Sequence, residues 1–221
     1  MTPSPSSRQQ SLDRIQAATQ PGSGRAEAYA ALPRPYIRRG SLSREACLAL
    51  LIERLREYDA EVVECTPEAL ADTVTAQLAA SGKLNFLAPS GAPNEWMITA
   101  AWKIAGLEFT LDHGLSNAEI ERAEGVVTAA TCAVAESGTI ILHHTPTEGR
   151  RVLTLLPDWH LCILRSSQVV ETLPEYFDRC EPPALATYIS GPSATADIEM
   201  TRIKGVHGPR FLHVILVHDE I

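Results

Sequence analysis

Residues 211–218 read Phe-Leu-His-Val-Ile-Leu-Val-His, a run that is apolar at almost every position. A strand buried on both faces carries such a run, whereas a strand with one wet face alternates apolar and polar residues. Similar segments recur along the chain, at residues 61–65, 84–88, 107–111, 126–135, 159–164 and 185–189. Because helical patterns separate several of them, we predict an α/β fold of three layers, a mostly parallel sheet with helices on both faces.

Capping residues mark where the intervening helices begin. Ser43 precedes an apolar stripe with helical spacing and is a suitable N-cap. Pro67 is placed to open a second helix that ends at Gly82, because proline suits a first turn and glycine a stop. Ser116 and Glu119 have the spacing of a capping box. Leu173 to Cys180 is predicted to be helical as well.

The first 40 residues differ in composition from the rest. Ser, Pro, Gly and Gln dominate both ends of this stretch, and a short amphipathic segment, residues 12–19, lies between them. Residues 21–24 have the composition of a flexible linker. We therefore expect residues 1–40 to form a flexible tail with one short helix, loosely packed up to about residue 24, and residues 41–221 to form a single α/β domain.

Composition and charge exclude several classes of protein. The chain has 221 residues, 45% of them hydrophobic, and a net charge of −8 with no run of five Lys or Arg. A nucleic-acid partner is therefore not expected, because phosphates require a basic surface. The sequence has no stretch of about 18 apolar residues, so a membrane span is not expected. The first ten residues lack the apolar core of a secretory signal. We expect a cytoplasmic protein.

Cofactor and metal motifs are missing from the sequence. The five cysteines are scattered and have no Cys-x-x-Cys pair, so neither zinc, nor an iron–sulfur cluster, nor a disulfide framework is expected. No P-loop, Gly-x-Gly-x-x-Gly fingerprint or Gly-x-Ser-x-Gly elbow occurs. We therefore predict no metal and no bound cofactor. The cysteines are Cys47, Cys65, Cys132, Cys162 and Cys180.

The stretch Ser-Gly-Pro-Ser-Ala-Thr-Ala-Asp-Ile-Glu, residues 190–199, is the most informative motif. It follows a predicted strand, turns at Gly191-Pro192, and offers Ser193 or Thr195 as the cap of a following helix. A helix N-terminus at the carboxyl edge of a sheet suits an anionic ligand. An ordinary capped connection explains the motif equally well. The candidate ligand-binding residues are Ser190, Gly191, Ser193, Thr195, Asp197 and Glu199.

Two further loops carry candidate catalytic groups. His207, in a loop before the last strand, is a candidate acid or base, or a residue that only holds the turn. Arg210 could balance Asp197 and Glu199 or attract a carboxylate. Glu136, on a predicted turn between two strands, is a candidate nucleophile or base, although such a residue more often only decorates a hairpin.

We expect these loops and residues 190–199 to form one pocket at the carboxyl edge of the sheet. His207 lies at the start of the final strand, so it can reach that edge only if this strand is antiparallel or if its loop folds back. The remaining histidines are weaker candidates. His160 and Cys162 share one face of a strand, where packing is the better explanation. His143 and His144 point to opposite faces and make a poor metal pair.

Four motifs, in order, resemble the lactate utilization protein C family. They are Glu136-Ser-Gly-Thr, where the family has Glu-Thr-Gly-Thr; Leu156-Pro157 with His160; residues 190–199; and Gly205-Val-His-Gly-Pro followed by Leu212-His-Val-Ile-Leu. The motifs cover about residues 130–218, and the helix–strand layout extends the likeness to about residue 41. Ser137, in place of threonine, is the departure in the first motif.

The resemblance implies a fold like that of glucosamine-6-phosphate isomerase, ribose-5-phosphate isomerase and the CoA transferases. It also implies a place in a three-protein system that oxidises L-lactate to pyruvate, whose two other members are iron–sulfur proteins. This chain would be a non-redox subunit bound to those partners. The alternative is an independent enzyme that binds an acyl, phosphorylated or nucleotide ligand, similar to a CoA transferase or a cyclo-ligase. The sequence leaves open whether this chain is a catalyst.

Overall fold

The computed structural model describes residues 6–19, 25–93, 96, 106–196, 202–204 and 208–219, and the chain divides into two compact units, Met1–Tyr36 and Ile37–Ile221. The first unit contains helices α1 (Ser7–Ala18) and α2 (Arg25–Ala30). The Ser6 side chain caps α1 by accepting a hydrogen bond from the Gln9 amide. The sequence predicted a helix over part of α1 and did not predict α2, and the expected linker at residues 21–24 lies outside the described residues.

The second unit is built on a six-stranded sheet. Its strands are β1 (Glu61–Cys65), β2 (Asn85–Pro89), β3 (Glu108–Asp112), β4 (Gly125–Ala129), β7 (Trp159–Arg165) and β12 (Phe211–Val217). They lie in the order β1-β12-β7-β4-β2-β3, and each neighbouring pair is parallel. The predicted α/β fold with a mostly parallel sheet is confirmed. The near-continuous apolar runs have the expected cause, since β7 and β12 are buried on both faces.

One face of this sheet is covered by α4 (Leu70–Ala80) and the buried side chain of Trp96. Leu70, Val74 and Leu78 of α4 pack here against every second residue of the central strands, Leu161 and Ile215 among them. Pro67 does not open this helix as predicted. It lies in a turn, and α4 begins three residues later, where Thr73 N donates to Ala69 O.

The opposite face is covered by α3 (Arg44–Glu57) and by α5 (Asn117–Glu121). The predicted caps are present, because the Ser43 side chain accepts from Ala46 N and Ser116 forms a capping box with Glu119. Leu51 and Leu55 of α3 pack against the alternate side chains of β7 and β12. The helical layers on both faces are therefore as expected.

A second, four-stranded sheet shares this face, and the sequence did not predict it. Its strands are β5 (Cys132–Val134), β6 (Thr139–Leu142), β8 (Val169–Val170) and β9 (Thr187–Ile189), in the order β8-β5-β6-β9. The predicted strand 126–135 is wrong as one element. It breaks at Ala130-Thr131, because Thr131 N donates to Ile141 O and the chain leaves the main sheet to pair with β6. Helix α6 (Leu173–Arg179) packs against this small sheet.

The predicted helix after residue 193 is also wrong where the structure describes it. Residues Ala194–Ala196 form strand β10, which pairs with β11 (Arg202–Lys204) in an antiparallel ladder. The ladder satisfies backbone groups that a helix would have satisfied internally, and β-branched Thr195 suits an extended backbone. The described residues 190–196 therefore offer no helix N-terminus for an anion.

The final strand β12 is parallel to both of its neighbours, β1 and β7. The antiparallel final strand that the single-pocket hypothesis allowed is therefore excluded. Residues 208–210, directly before β12, lie at the amino end of the sheet. Among the residues that the structure describes, no helix is both long enough and apolar enough to cross a membrane.

Candidate functional site

The loop Ser190–Ser193 lies at the amino end of the main sheet, next to the start of β12. Ser193 N donates to Pro209 O at 2.8 Å, which ties the loop to the segment that enters β12. Gly191 has φ +91°, and a Cβ there would lie 2.6 Å from the Cβ of Tyr58 at the end of α3. A side chain at position 191 would meet both backbone strain and a clash. The loop therefore faces the edge opposite to the one that the sequence suggested.

Neutral hydroxyl groups join this loop to the turn that carries Glu136. The Ser190 and Thr139 hydroxyl oxygens are 2.7 Å apart, and Thr139 and Ser137 are 2.8 Å apart. Residues 135–138 form the predicted turn between β5 and β6, and Glu136 on it is exposed. The two motifs thus meet through three hydroxyl groups.

A cavity of about 320 Å³ opens beside the Ser190–Ser193 loop, and we call it the amino-end cavity. Its floor is formed by His160 and Leu212, the second residues of the neighbouring strands β7 and β12. Its walls come from β9, from the loops just described and from the 3₁₀ turn Arg151–Thr154. None of the described residues that line it is acidic. This arrangement suits a small ligand, neutral or anionic.

His160 is buried and neutral at the base of this cavity. Its Nε2 lies 2.8 Å from Thr128 Oγ1, in the middle of the sheet. Burial lowers the pKa of the imidazole to about 4, because the charged form would lose its hydration. A residue that stays neutral near pH 7 can accept or donate one hydrogen bond here, as the packing role expected for His160 requires.

Arg210 is held by Asp158. Its Nε and Nη2 donate to the two carboxylate oxygens at 2.5 and 2.8 Å, and this pair lowers the pKa of the Asp158 carboxyl. The pair forms because Arg210 and Asp158 directly precede the cross-strand neighbours Phe211 and Trp159. Asp197 and Glu199, the other partners predicted for Arg210, lie outside the described residues.

Most of the other predicted site residues lie outside the residues that the structure describes. Asp197, Glu199 and His207 lie outside the described residues, and for Thr195 only the backbone, in β10, is described. Of the nine predicted residues, the structure places Ser190, Gly191, Ser193 and Arg210 near the amino end of β12. It joins Glu136 to them through the turn and Thr139.

A second cavity, of about 710 Å³, lies at the carboxyl end of the sheet, and we call it the carboxyl-end cavity. Ser90 follows β2 and His113 follows β3, and both residues line it together with Arg150 and Arg151. Asp112, the last residue of β3, binds the Arg150 guanidinium with distances of 2.8 and 2.6 Å. The sequence analysis missed these residues. The order apolar strand, Asp, His, Gly was the available signal, since it places polar groups at the carboxyl end of a strand.

Buried Glu148 orders the loop between the two sheets. Its carboxylate accepts from Thr131 Oγ1 at 2.5 Å, from His143 N at 2.7 Å and from Thr145 N at 3.1 Å. Its side chain is almost completely enclosed, with 1% of the residue exposed. A buried carboxylate needs such donors to replace its hydration, so Glu148 fixes the backbone that carries the residues after β6.

The adjacent histidines have separate partners. His143 Nε2 lies 2.7 Å from the Tyr176 hydroxyl. His144 Nδ1 lies 3.0 Å from Gly149 O, and its Nε2 lies 2.9 Å from Thr187 Oγ1. In the part of the chain that the structure describes, no group of three or more His, Cys, Asp or Glu side chains is placed to hold a metal ion, and the five cysteines are free thiols.

Comparison with known proteins agrees with the fold. The family model described as "LUD domain" matches residues 48–217. A protein named "Lactate utilization protein C" from Deinococcus radiodurans is 37% identical over 192 residues, covering 85% of this chain and 86% of that protein. A protein of the same name from Bacillus velezensis is 33% identical over 136 residues, 56% of each chain.

A solved structure shares both sequence and fold with this chain. It is the crystal structure of a DUF162 family protein from Deinococcus radiodurans, with 34% identity and a TM-score of 0.66. The match covers 80% of this chain and 99% of that one. Since the family model spans most of the second unit and the first of these relatives is aligned over most of its length, the chain belongs to the LUD domain family.

Proposed function

We propose that this chain takes part in lactate utilization, as a non-redox subunit of a system that oxidises L-lactate to pyruvate. The observation that carries the proposal is the 37% identity, over 85% of the chain, to a protein named for lactate utilization. Motifs 136–139 and 190–193, which resemble that family, meet at one place in the fold through the Thr139–Ser190 contact. Iron–sulfur proteins of the same system are the proposed partners.

The amino-end cavity is the proposed ligand site of this subunit. Ser190 and Ser193 supply hydroxyl groups, Gly191 permits the tight turn, and Arg151 supplies positive charge at the wall. A small carboxylate fits this chemistry, because hydroxyl groups and a guanidinium both donate to carboxylate oxygens. We propose Thr195, Asp197, Glu199 and His207 as ligand-binding or acid–base groups of the same site, since Ala194 and Gly208, the neighbours of Thr195 and His207 in the sequence, line this cavity.

A genetic complementation experiment tests the proposal. The gene for Lactate utilization protein C is deleted in Deinococcus radiodurans, and loss of growth on L-lactate is established first. We expect this chain to restore growth, and purification of a tagged copy from those cells to recover iron–sulfur proteins. Failure of an expressed, folded chain to restore any growth contradicts the proposed role.

Variants then separate the site from the fold. Ser193→Ala removes one cavity hydroxyl and is expected to slow growth on lactate, whereas Ser11→Ala, which alters an exposed serine of α1, is the matched control. Normal growth of the Ser193→Ala strain contradicts the site but leaves the role of the chain intact. Recovery of the partners by a Ser193→Ala chain that supports slower growth separates ligand binding from assembly.

A second candidate function is an acyl-transferring enzyme with Glu136 as the nucleophile. The observation that favours it is the exposure of Glu136 on a turn with ordered hydroxyl neighbours. In such a reaction the carboxylate would attack an acyl carbon and the leaving group would depart with the electron pair of the broken bond. Growth on lactate that persists with Glu136→Gln excludes a required role for this carboxylate.

A further inference from the structure

The carboxyl-end cavity has a positively charged wall, although the chain as a whole carries a net charge of −8. The described residues that line it include two arginines, Arg150 and Arg151, two histidines, His113 and His144, and one acid, Asp112. Ligands of parallel sheets collect just beyond the carboxyl ends of the strands, where this cavity lies. Location and charge therefore both indicate a site for an anion.

Asp112 contributes no open negative charge to the cavity. Its Oδ1 accepts from Gly114 N, Leu115 N and Arg150 Nη2, and its Oδ2 accepts from Arg150 Nε. The side chain of Asp112 is 3% exposed. These contacts lower the pKa of the carboxyl, with the Arg150 hydrogen bonds as the main cause. Asp112 thus orders the loop after β3 and fixes Arg150 in place.

Two hydrogen-bond-donating side chains at this cavity, a guanidinium and an imidazole, are left for a ligand. Arg151 and His113 are exposed, and neither side chain forms a hydrogen bond or ion pair with any residue that the structure describes. They come from different segments, one after β3 and one at the start of the 3₁₀ turn that leads to β7. Both side chains line the cavity, and their polar atoms have no hydrogen-bond partner among the described residues.

The backbone around the cavity is held in an uncommon conformation. His144 has φ +57°, a left-handed value that few residues other than glycine adopt. Its two ring nitrogens contact Gly149 O and Thr187 Oγ1, so the imidazole ties the loop before Arg150 to strand β9. Strained residues of this kind persist where the surroundings fix them, as happens at binding sites. The wall of the cavity is therefore ordered before any ligand arrives.

We propose that the carboxyl-end cavity binds the dianionic phosphate group of a phosphate ester, with Arg151 and His113 as its direct contacts. A guanidinium donates two parallel hydrogen bonds to phosphate oxygens, and an imidazole N–H donates another. A phosphate group offers more acceptor oxygens to these donors than a monocarboxylate does. The volume of about 710 Å³ also exceeds what a three-carbon acid needs and leaves room for the organic part of an ester.

Titration of the purified full chain with inorganic phosphate tests the proposal, with binding followed by calorimetry and by the NMR signals of the His113 ring. Ionic strength is held constant with sodium chloride, because surface charges are screened by salt. We expect saturable binding and a shift of the His113 signals. Arg151→Gln should weaken binding about tenfold or more, since it removes a charge-assisted pair.

The second variant locates the site. His113→Gln should weaken phosphate binding at least several-fold, because His113 lines the carboxyl-end cavity and does not line the amino-end cavity. Arg122→Gln, which removes an exposed arginine at a different surface, is the charge-matched control and should bind like the native chain. Native affinity in His113→Gln overturns the proposal even if Arg151→Gln weakens binding, because Arg151 also lines the amino-end cavity. Affinity that falls with Ser193→Ala but not with His113→Gln also overturns it.

Discussion

The two ends of the six-stranded sheet are held together by different chemistry. At the carboxyl end, the enclosed carboxylates of Glu148 and Asp112 accept hydrogen bonds from backbone amides and from Arg150. At the amino end, the enclosed contacts are made by neutral groups, the hydroxyls of Thr139 and Ser190 and the uncharged imidazole of His160, while the ion pair of Arg210 with Asp158 lies at the surface. The buried groups that organise the two ends are therefore charged at one end and neutral at the other.

The two ends should therefore respond differently to mutation and to pH. A buried carboxylate replaces its lost hydration with several donors, and removing it leaves all of those donors unsatisfied. A hydroxyl has only one or two hydrogen-bond partners, so its removal leaves fewer groups unsatisfied. A buried neutral imidazole costs nothing at neutral pH but opposes protonation in acid.

The largest expected effect is at the charged end, in Glu148→Ala. The variant leaves Thr131 Oγ1, His143 N and Thr145 N without their acceptor, so we expect the free energy of unfolding to fall by about 3 kcal/mol. Urea denaturation followed by circular dichroism measures it. Glu121→Ala, at an exposed position of α5, is the control and should change the value by less than about 0.5 kcal/mol. Equal losses of unfolding free energy in the two variants would show that water replaces the carboxylate as the acceptor for the three donors.

The second effect depends on pH and belongs to the neutral end. The folded pKa of His160 is about 4, below the ordinary value of 6.5, so between these pH values the unfolded chain binds a proton that the folded chain does not. The stability contributed by the neutral ring is complete above about pH 6.5 and is lost as the pH falls toward 4, by roughly 3 kcal/mol in total.

His160→Gln tests this pH dependence. Glutamine can keep a hydrogen bond to Thr128 and does not titrate, so its unfolding free energy should fall less between pH 7 and pH 4.5 than that of the native chain. The comparison of the two slopes cancels the contributions of other titrating groups, such as His213. Parallel slopes for the two proteins would mean that protons reach His160 without unfolding.

The smallest effect is expected for Ser190→Ala. It removes one neutral hydrogen bond, and Thr139 keeps Ser137 as a partner, so the unfolding free energy should fall by only about 0.5–1 kcal/mol. Measurement in the same urea series as Glu148→Ala gives the contrast between the two ends directly. A loss for Ser190→Ala as large as that for Glu148→Ala would abolish the distinction.

The sequence predicted the main sheet because its signal is local. Strands such as β7 and β12 carry apolar runs, and Ser43 and Ser116 are caps that depend only on residues three positions away. The break at Ala130-Thr131 had no local signal, because the apolar residues continue through it. Only the pairing of β5 with β6 and β8, which are separate in sequence, moves the chain into a second sheet.

The candidate site was predicted in part for the same reason. Motifs 136–139 and 190–193 were found from their residues, and the contact of Thr139 with Ser190 joins them. The expected edge of the sheet was wrong, because β9 pairs with β6 in the second sheet and the loop after β9 reaches the amino end of β12. The pair of Asp112 with Arg150 was missed because its partners are distant in the sequence and each is common on a protein surface.

The position of β12 has a consequence for the order in which the fold can be completed during synthesis. Among the described strands, β1 forms sheet hydrogen bonds only with β12, and β12 also bonds to β7. The ribosome makes β1 before the other described strands and β12 after them. Until β12 emerges, β1 has no described partner strand in the growing sheet, whereas the helix α3 beside it also packs against β7 and β8, which are made earlier. Contacts so distant in sequence are slow to form, so the nascent chain carries an unfinished edge for most of its translation.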